Sequence, residues 1–279
     1  MGKITDALKK VADERVARIQ KKPEFQYIVK RVENSKIDAH VVSFHDSASP
    51  VAEQYKILRT NIQSLKFTKN CKSFAITSSI DSEGKTLTSV NLAISLAQEF
   101  NNKSVLLIDA DMRKGKVAKY LGIKSYPGLA ELLQGNTEAE TVFVNPGIDN
   151  LTVIVSGKSP KHHSELLNTK KMEQLLAIFK TKFDYILIDT PPVMPLTDAC
   201  ILGPMVDGVI VVVQAGRTQR DMLKHVESRL TQARSKIVGY ILSQVEEHLP
   251  RYLYKYANKY DNHYYYKYQQ QAQTEAVEK

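Results

Sequence analysis

Apolar residues fall into short unbroken runs and into longer segments with helical spacing. The unbroken runs cover residues 74–76, 105–108, 151–155, 185–188, 208–213 and 237–242, and each reads as a strand. Helical segments separate most of them: one running through Leu96, then 172–179, 198–202 and 218–234. Strands with no polar alternate face, interleaved with helices, predict an α/β fold: a mostly parallel β-sheet flanked by helices on both faces.

Upstream the pattern differs. Residues 3–22 read as an amphipathic helix, with Ile4, Leu8, Val11, Ala12, Val16 and Ile19 at helical spacing among lysines and arginines. Such a helix docks on the body or a neighbouring subunit, or lies on a membrane surface. Residues 23–50 show no clear period and read as linker. Residues 51–65 form another helix, with Ile57, Leu58, Ile62 and Leu65 on one side. After Glu247 the signals fade into a tyrosine-rich, then glutamine-rich, segment whose low apolar content predicts disorder without a partner. The organisation expected is a basic arm and linker over 1–49, an α/β domain over 50–247 and a tail over 248–279.

Charge sharpens this division. The chain has 39 Lys and Arg against 30 Asp and Glu, a formal net charge of +9. Residues 1–69 hold 14 bases and 8 acids, residues 70–247 hold 20 and 19, and residues 248–279 hold 5 and 3. The α/β body is nearly neutral, unlike a nucleic-acid-binding domain that concentrates basic charge on its fold. Cys71 and Cys200 make no disulfide framework and no metal spacing, which fits a reducing compartment. No apolar stretch approaches the ~20 residues of a membrane span. The start lacks a signal-peptide core, and Asp6 misses the hydroxyl of the myristoylation pattern.

The first strand runs into Thr77-Ser-Ser-Ile-Asp-Ser-Glu-Gly-Lys-Thr86, which opens a helix. Backbone N–H donors, a glycine, a lysine charge and a helix N-terminus are what a phosphate needs. The Thr86 hydroxyl suits Mg²⁺. Ser79 holds the place of the first glycine of the strict phosphate-loop pattern. Two further strands end in carboxylates: Ile108-Asp109-Ala-Asp111-Met-Arg113, and Ile188-Asp189-Thr-Pro-Pro192. Carboxyl ends of parallel strands are where open α/β sheets bind ligands, and Mg²⁺ takes oxygen ligands. A single such Asp is most simply a cap or turn residue. Three such elements in order on one sheet edge are hard to explain that way, and they resemble those of a P-loop NTPase.

These residues resemble the Walker A, A′ and B motifs of bacterial tyrosine kinases of the polysaccharide-export type (BY-kinases), in order and spacing, over roughly residues 50–268. The resemblance implies ATP and Mg²⁺ as cofactors and a loop of Ser79, Ile80, Asp81, Ser82, Glu83, Gly84, Lys85, Thr86 and Leu87 around the phosphates. It implies Lys85 on the β- and γ-phosphates, and Thr86, Asp109 and Asp189 toward the metal. Asp109 and Asp111 would orient Mg²⁺ or the attacking tyrosine, and one of them would accept its proton. Arg113 would compensate phosphate charge or make a surface ion pair, and Ser243 stands where an adenine-reading asparagine is expected.

Eight of the 14 tyrosines lie in the tail: Tyr252, Tyr254, Tyr256, Tyr260, Tyr264, Tyr265, Tyr266 and Tyr268. Their spacing follows no period, and Lys, Asn, Asp and His intervene, so a core reading fails. Base stacking is an alternative. The resemblance makes them phosphoacceptors of autophosphorylation in trans, and nucleic acid is not an expected partner. Glu53, Lys56 and Arg59 resemble the family's E-x-x-R-x-x-R oligomerisation motif, with Lys in place of the first Arg, or else form a solvated helix face. A homo-oligomeric ring, a separate transmembrane polysaccharide co-polymerase as activator and a protein-tyrosine phosphatase follow as expected partners. The expected location is cytoplasmic, recruited to the inner face of the cell membrane.

Ser82 replaces a usual glycine, Asp81 a usual proline, and Lys161-His-His-Ser-Glu165 a Pro/Asn-rich approach. His162 and His163 read as surface histidines. Two rival readings stand beside the kinase. A Min/Par-type positioning ATPase shares the fold but carries a second lysine where this chain has Ile80. A catalytically weakened nucleotide-binding regulator would follow from the Ser79 and Ser82 changes.

Overall fold

A computed structural model describes residues 29–245, apart from 34, 100, 139 and 140. The amphipathic segment 3–22 and the tyrosine tail lie outside the described residues. Eight strands form one sheet: β1 (Lys30–Arg31), β2 (Ser73–Ser78), β3 (Val105–Asp109), β4 (Val144–Asn145), β5 (Leu151–Ile154), β6 (Tyr185–Asp189), β7 (Gly208–Gln214) and β8 (Ile237–Ser243), in the order β1-β4-β5-β3-β6-β2-β7-β8. Every pairing is parallel except β4 with β5. All six predicted strands are present, and the central ones are buried along nearly their whole length.

Two cores cover the two faces, as alternation along each strand requires. Phe74, Ile76, Leu107, Leu187, Ile210 and Val212 pack on one side. Ala75, Leu106, Ile108, Ile186, Ile188 and Val211 pack on the other. The first core is roofed by α1 (Val42–His45), α2 (Pro50–Lys69), α3 (Lys85–Ala97) and α4 (Val117–Leu121). The second lies under α5 (Leu129–Gln134), α6 (His163–Leu167), α7 (Lys170–Lys182), α8 (Asp198–Leu202) and α9 (Arg220–Gln232). Local signals set the ends of the longer helices. Ser49 caps α2 by accepting from the Ala52 N–H, ahead of Pro50, and Asn70 ends it in the left-handed region. Thr169 caps α7 by accepting from Met172. Among the described residues no helix is long and apolar enough to cross a membrane.

The stretch read as linker behaves differently. From residue 29 onward it is built into the body. Lys30 and Val32 donate to the carbonyls of Phe143 and Asn145, Asp38 donates to Tyr120, and Val41 is fully buried. A two-residue strand and a single helical turn carry too few apolar positions to show a period, so only tertiary contacts reveal them. Asn91 on α3 is a further tie: its Oδ1 accepts from the Ser43 N–H at 2.9 Å and its Nδ2 donates to the Leu87 carbonyl at 3.0 Å. Asn91→Ala strands a buried N–H and is expected to lower unfolding stability by about 1–3 kcal/mol. Urea unfolding checks this, and an unchanged midpoint would mean α1 is not held by this contact.

Candidate functional site

The sheet order assembles the site. Strand β6 inserts between β2 and β3, and Asp109 and Asp189 become register partners at the ends of adjacent strands, with Asp189 also opposite Ile76 of β2. The loop after β2 therefore arrives at the same edge as both carboxylates. Gly84, at φ +89°, turns this loop into α3 and closes on Ser243, whose Cβ would lie 3.5 Å from any Cβ at 84. Lys85 and Thr86 then occupy the first turn, where backbone N–H groups have no intrahelical acceptor. Both side chains are buried.

Lys85 Nζ lies 3.1 Å from Asp111 Oδ2, 3.3 Å from Thr86 Oγ1 and 4.0 Å from Asp189 Oδ2. Asp109 and Asp189 are fully buried and Asp111 nearly so. Burial pushes the Asp109 carboxyl well above the usual carboxylate range, and the Asp189 charge pushes it the same way. Burial also raises Asp189, against the pull of Lys85 and of the Thr86 hydroxyl. For Lys85 burial disfavours the charge, but Asp189 and Asp111 outweigh it and the ammonium is held above its ordinary value. Three carboxylates around one ammonium leave an excess of negative charge, and that excess suits a divalent cation.

The carboxylates are not equivalent. Asp109 accepts from the backbone N–H groups of Asp111 and Val117 at 3.2 and 3.1 Å, so both oxygens are engaged in shaping the turn. Asp189 Oδ1 accepts from Ser89 Oγ at 3.1 Å, while its buried Oδ2 has no hydrogen-bond partner. That orphaned oxygen, with the Thr86 hydroxyl, fits the oxygen chemistry of Mg²⁺. Among the described residues no group of three His, Cys, Asp or Glu could hold a metal by itself. A metal here would complete its shell from phosphate and water.

Several loop positions have other work than phosphate binding. The Glu83 carboxylate is fully buried and its Oε2 accepts from the N–H groups of Ser79 and Ile80 at 2.6 and 3.0 Å. Its Oε1 takes the Thr218 hydroxyl. The amides of Ser79 and Ile80 are thus committed to Glu83 and are not directed at a phosphate. Ser243 donates to the Glu83 carbonyl at 2.6 Å, bracing the loop in place of the base-reading role expected of that position. Asp81 pairs with Lys114 at 2.9 Å, and that hydrogen bond holds its carboxyl below the usual range. Arg113 donates to the buried Asp198 carboxylate and, at 3.2 Å, to Ser164 Oγ, so its ion pair reaches into the fold and is not the expected surface pair. Thr218, Ser164 and Asp198 were invisible to motif reading because each acts through a partner distant in sequence.

The expected assembly motif on α2 is also engaged within the chain. Glu53 and Lys56 pair with each other at 2.9 Å, and Arg59 Nη1 donates to the Ser95 carbonyl at 2.8 Å. Ser82 adopts φ +69°, a region that suits glycine. Ser82→Gly is expected to raise unfolding stability by up to about 1 kcal/mol, the relief of left-handed strain less the added freedom of the unfolded chain. A lowered urea midpoint would show that the serine side chain holds the loop.

Comparison with known proteins agrees with this arrangement. Residues 72–249 match the family model described as an AAA domain. The tyrosine-protein kinase YwqD of Bacillus subtilis is 34% identical over 209 residues, covering 75% of this chain and 87% of the relative. The tyrosine-protein kinase CpsD of Streptococcus agalactiae is 36% identical over 206 residues, covering 74% and 88%. The solved kinase domain of Escherichia coli tyrosine kinase ETK superposes with a TM-score of 0.72 at 28% identity, covering 83% of this chain and 87% of that one. With its lysine, threonine and three strand-end carboxylates gathered at one edge of such a sheet, the chain belongs to the bacterial tyrosine-protein kinase family built on the P-loop AAA domain.

Proposed function

We propose that this protein is an ATP-dependent tyrosine autokinase that phosphorylates its C-terminal tyrosine cluster in trans and thereby regulates polysaccharide synthesis and export. The observation that carries the reading is the convergence of Lys85, Thr86, Asp109, Asp111 and Asp189 at one sheet edge. Phosphoryl transfer demands positioning and charge stabilisation above all, and this set supplies both. Lys85 would turn from Asp111 to the β- and γ-phosphates. Thr86 and Asp189 would hold Mg²⁺, with Asp109 toward it, and the ion would supply positive charge against the phosphates. The tyrosine oxygen attacks the γ-phosphorus, the bond to the β–γ bridging oxygen breaks, and ADP leaves. The phenolic proton passes to Asp111 or Asp109. Burial in this cluster raises the Asp109 carboxyl, which brings its proton affinity closer to that task.

The acceptors in this reading are Tyr252, Tyr254, Tyr256, Tyr260, Tyr264, Tyr265, Tyr266 and Tyr268. Ring assembly through α2, activation by a separate transmembrane co-polymerase, removal of phosphate by a tyrosine phosphatase and recruitment to the inner membrane face belong to the same proposal. Glu53, Lys56 and Arg59 are all partly exposed, and Arg59 also donates to the Ser95 carbonyl. Ile80 in place of the second lysine argues against the positioning-ATPase alternative. Incubation with ATP and Mg²⁺, followed by mass-spectrometric site mapping, is expected to place phosphotyrosine within residues 252–268. Phosphate found only elsewhere would overturn the tail assignment, and none at all would favour the nucleotide-binding regulator.

A further inference from the structure

A nearly neutral body carries one strongly one-sided surface. Residues 112–128 contain Arg113, Lys114, Lys116, Lys119 and Lys124 and no acid. Residues 154–164 contain Lys158 and Lys161, two histidines and no acid. The fold sets these two stretches side by side at the carboxyl edge of the sheet. A Cβ at Gly115 would run into the Ser156 side chain and come within 2.7 Å of Asp109 Oδ2. Leu129 and Ala130 donate to the carbonyls of Val155 and Ser156 at 2.7 and 3.1 Å. Lys158 Nζ lies 4.4 Å from the centre of the Tyr126 ring, which is half exposed.

The rim adjoins the reacting groups. The Lys114 N–H donates to Asp111 at 3.0 Å, and its Nζ pairs with Asp81 of the phosphate loop. Lys116, Lys124, Lys158 and Lys161 are exposed, and none has a carboxylate partner among the described residues. A cluster of unpaired cations beside a phosphoryl-transfer site would repel a basic peptide and attract an anionic one. The tail over residues 248–279 is basic before modification, with 5 bases against 3 acids. Each phosphotyrosine adds about −1.5 to −2 and three strong acceptor oxygens. Two modified tyrosines therefore suffice to reverse its sign.

We infer that Lys116, Lys124, Lys158 and Lys161, with Tyr126, form a docking surface for the phosphorylated tail of a second copy. The inference rests on the reading that the tail is the substrate, and it adds order to that reaction. A first phosphotyrosine, once formed, is held on the rim and keeps the remaining tyrosines beside the site, so later transfers on the same tail are faster than the first.

The test uses the full chain and synthetic peptides of residues 259–268, one unmodified and one phosphorylated at Tyr264, Tyr265 and Tyr266. Fluorescence anisotropy is expected to show binding of the phosphopeptide and at least about fivefold weaker binding of the unmodified peptide, with the difference shrinking as salt rises. Combined Lys124→Ala, Lys158→Ala and Lys161→Ala should weaken phosphopeptide binding by about fivefold or more. Lys170→Ala, Lys182→Ala and Lys236→Ala together, an equal change of charge at exposed positions elsewhere, should leave it unchanged. Equal binding of both peptides, or equal loss in both triple variants, overturns the inference. Vesicles containing phosphatidylglycerol that bind through the same three lysines while the phosphopeptide does not would reassign the surface to lipid and also overturn it. Because the phosphates are installed chemically, the result does not depend on kinase activity, and a failed kinase reading is seen separately in site mapping.

Discussion

Lys85→Met is expected to lower tyrosine phosphorylation by at least about a hundredfold, the usual cost of removing one preorganised electrostatic group, while its own tail stays a substrate for unmodified chains. Lys85 is the cation among three buried carboxylates, and its nitrogen reaches Asp111, Thr86 and Asp189. Methionine keeps most of the apolar stem and removes the charged nitrogen with its hydrogen bonds to Asp111 and Thr86. The cost to folding should grow as pH rises, because ionised carboxylates can no longer relieve their repulsion by taking up protons. Circular dichroism at the pH of the assay therefore controls for folding. Mixing the variant with a size-tagged wild-type chain separates the two halves of the proposal. Phosphotyrosine on the variant's tail supports transfer in trans, and none on it beside a fully active partner would sink that reading. Near-normal activity of the variant alone would sink the assignment of the site.

The elements that the chain announces are those whose chemistry is local. Apolar runs such as residues 105–108 and 185–188 identify central strands because both faces must be covered, and their terminal aspartates then lie on one edge whatever the order of strands. The order itself, with β6 between β2 and β3, is what makes Asp109 and Asp189 register partners, and no residue pattern encodes it. The same limit explains Glu83. As a motif letter it reads as part of a phosphate loop, yet its carboxylate spends itself on the Ser79 and Ile80 amides and on Thr218, 135 residues away. Ser243 and Arg113 likewise find their partners, Glu83 and Asp198, only in three dimensions. Residues 29–49 show no period for a related reason: Val41 and Ser43 are buried by tertiary contacts, the bond from Ser43 to Asn91 of α3 among them, and not by any repeat of their own.

Asp189→Asn is expected to abolish most activity, by about a hundredfold or more, and to make the magnesium-free chain relatively more stable at pH 7.5 than at pH 4. Asp189 is fully buried, and burial raises its carboxyl above its ordinary value of 3.8 despite Lys85, Thr86 and Ser89. A carboxyl with a raised folded-state pKa favours the fold in its protonated form. That contribution is complete below the unfolded value and is lost as pH rises through the folded one. The wild-type chain should therefore lose stability from about pH 4 upward on this account, and the asparagine variant should not. Any fixed cost of the carboxamide is equal at both pH values, so the change in the difference between the proteins reports the titration of Asp189 together with that of Asp109, which feels its charge. Urea unfolding at pH 4 and pH 7.5 measures it; a difference independent of pH would mean that its surroundings do not raise the Asp189 carboxyl. Adding Mg²⁺ with ADP should then stabilise the wild type and not the variant, because the orphaned Oδ2 is the oxygen proposed to receive the ion. Equal stabilisation of both proteins would move the metal to other ligands and leave Asp189 with a purely electrostatic role toward Lys85.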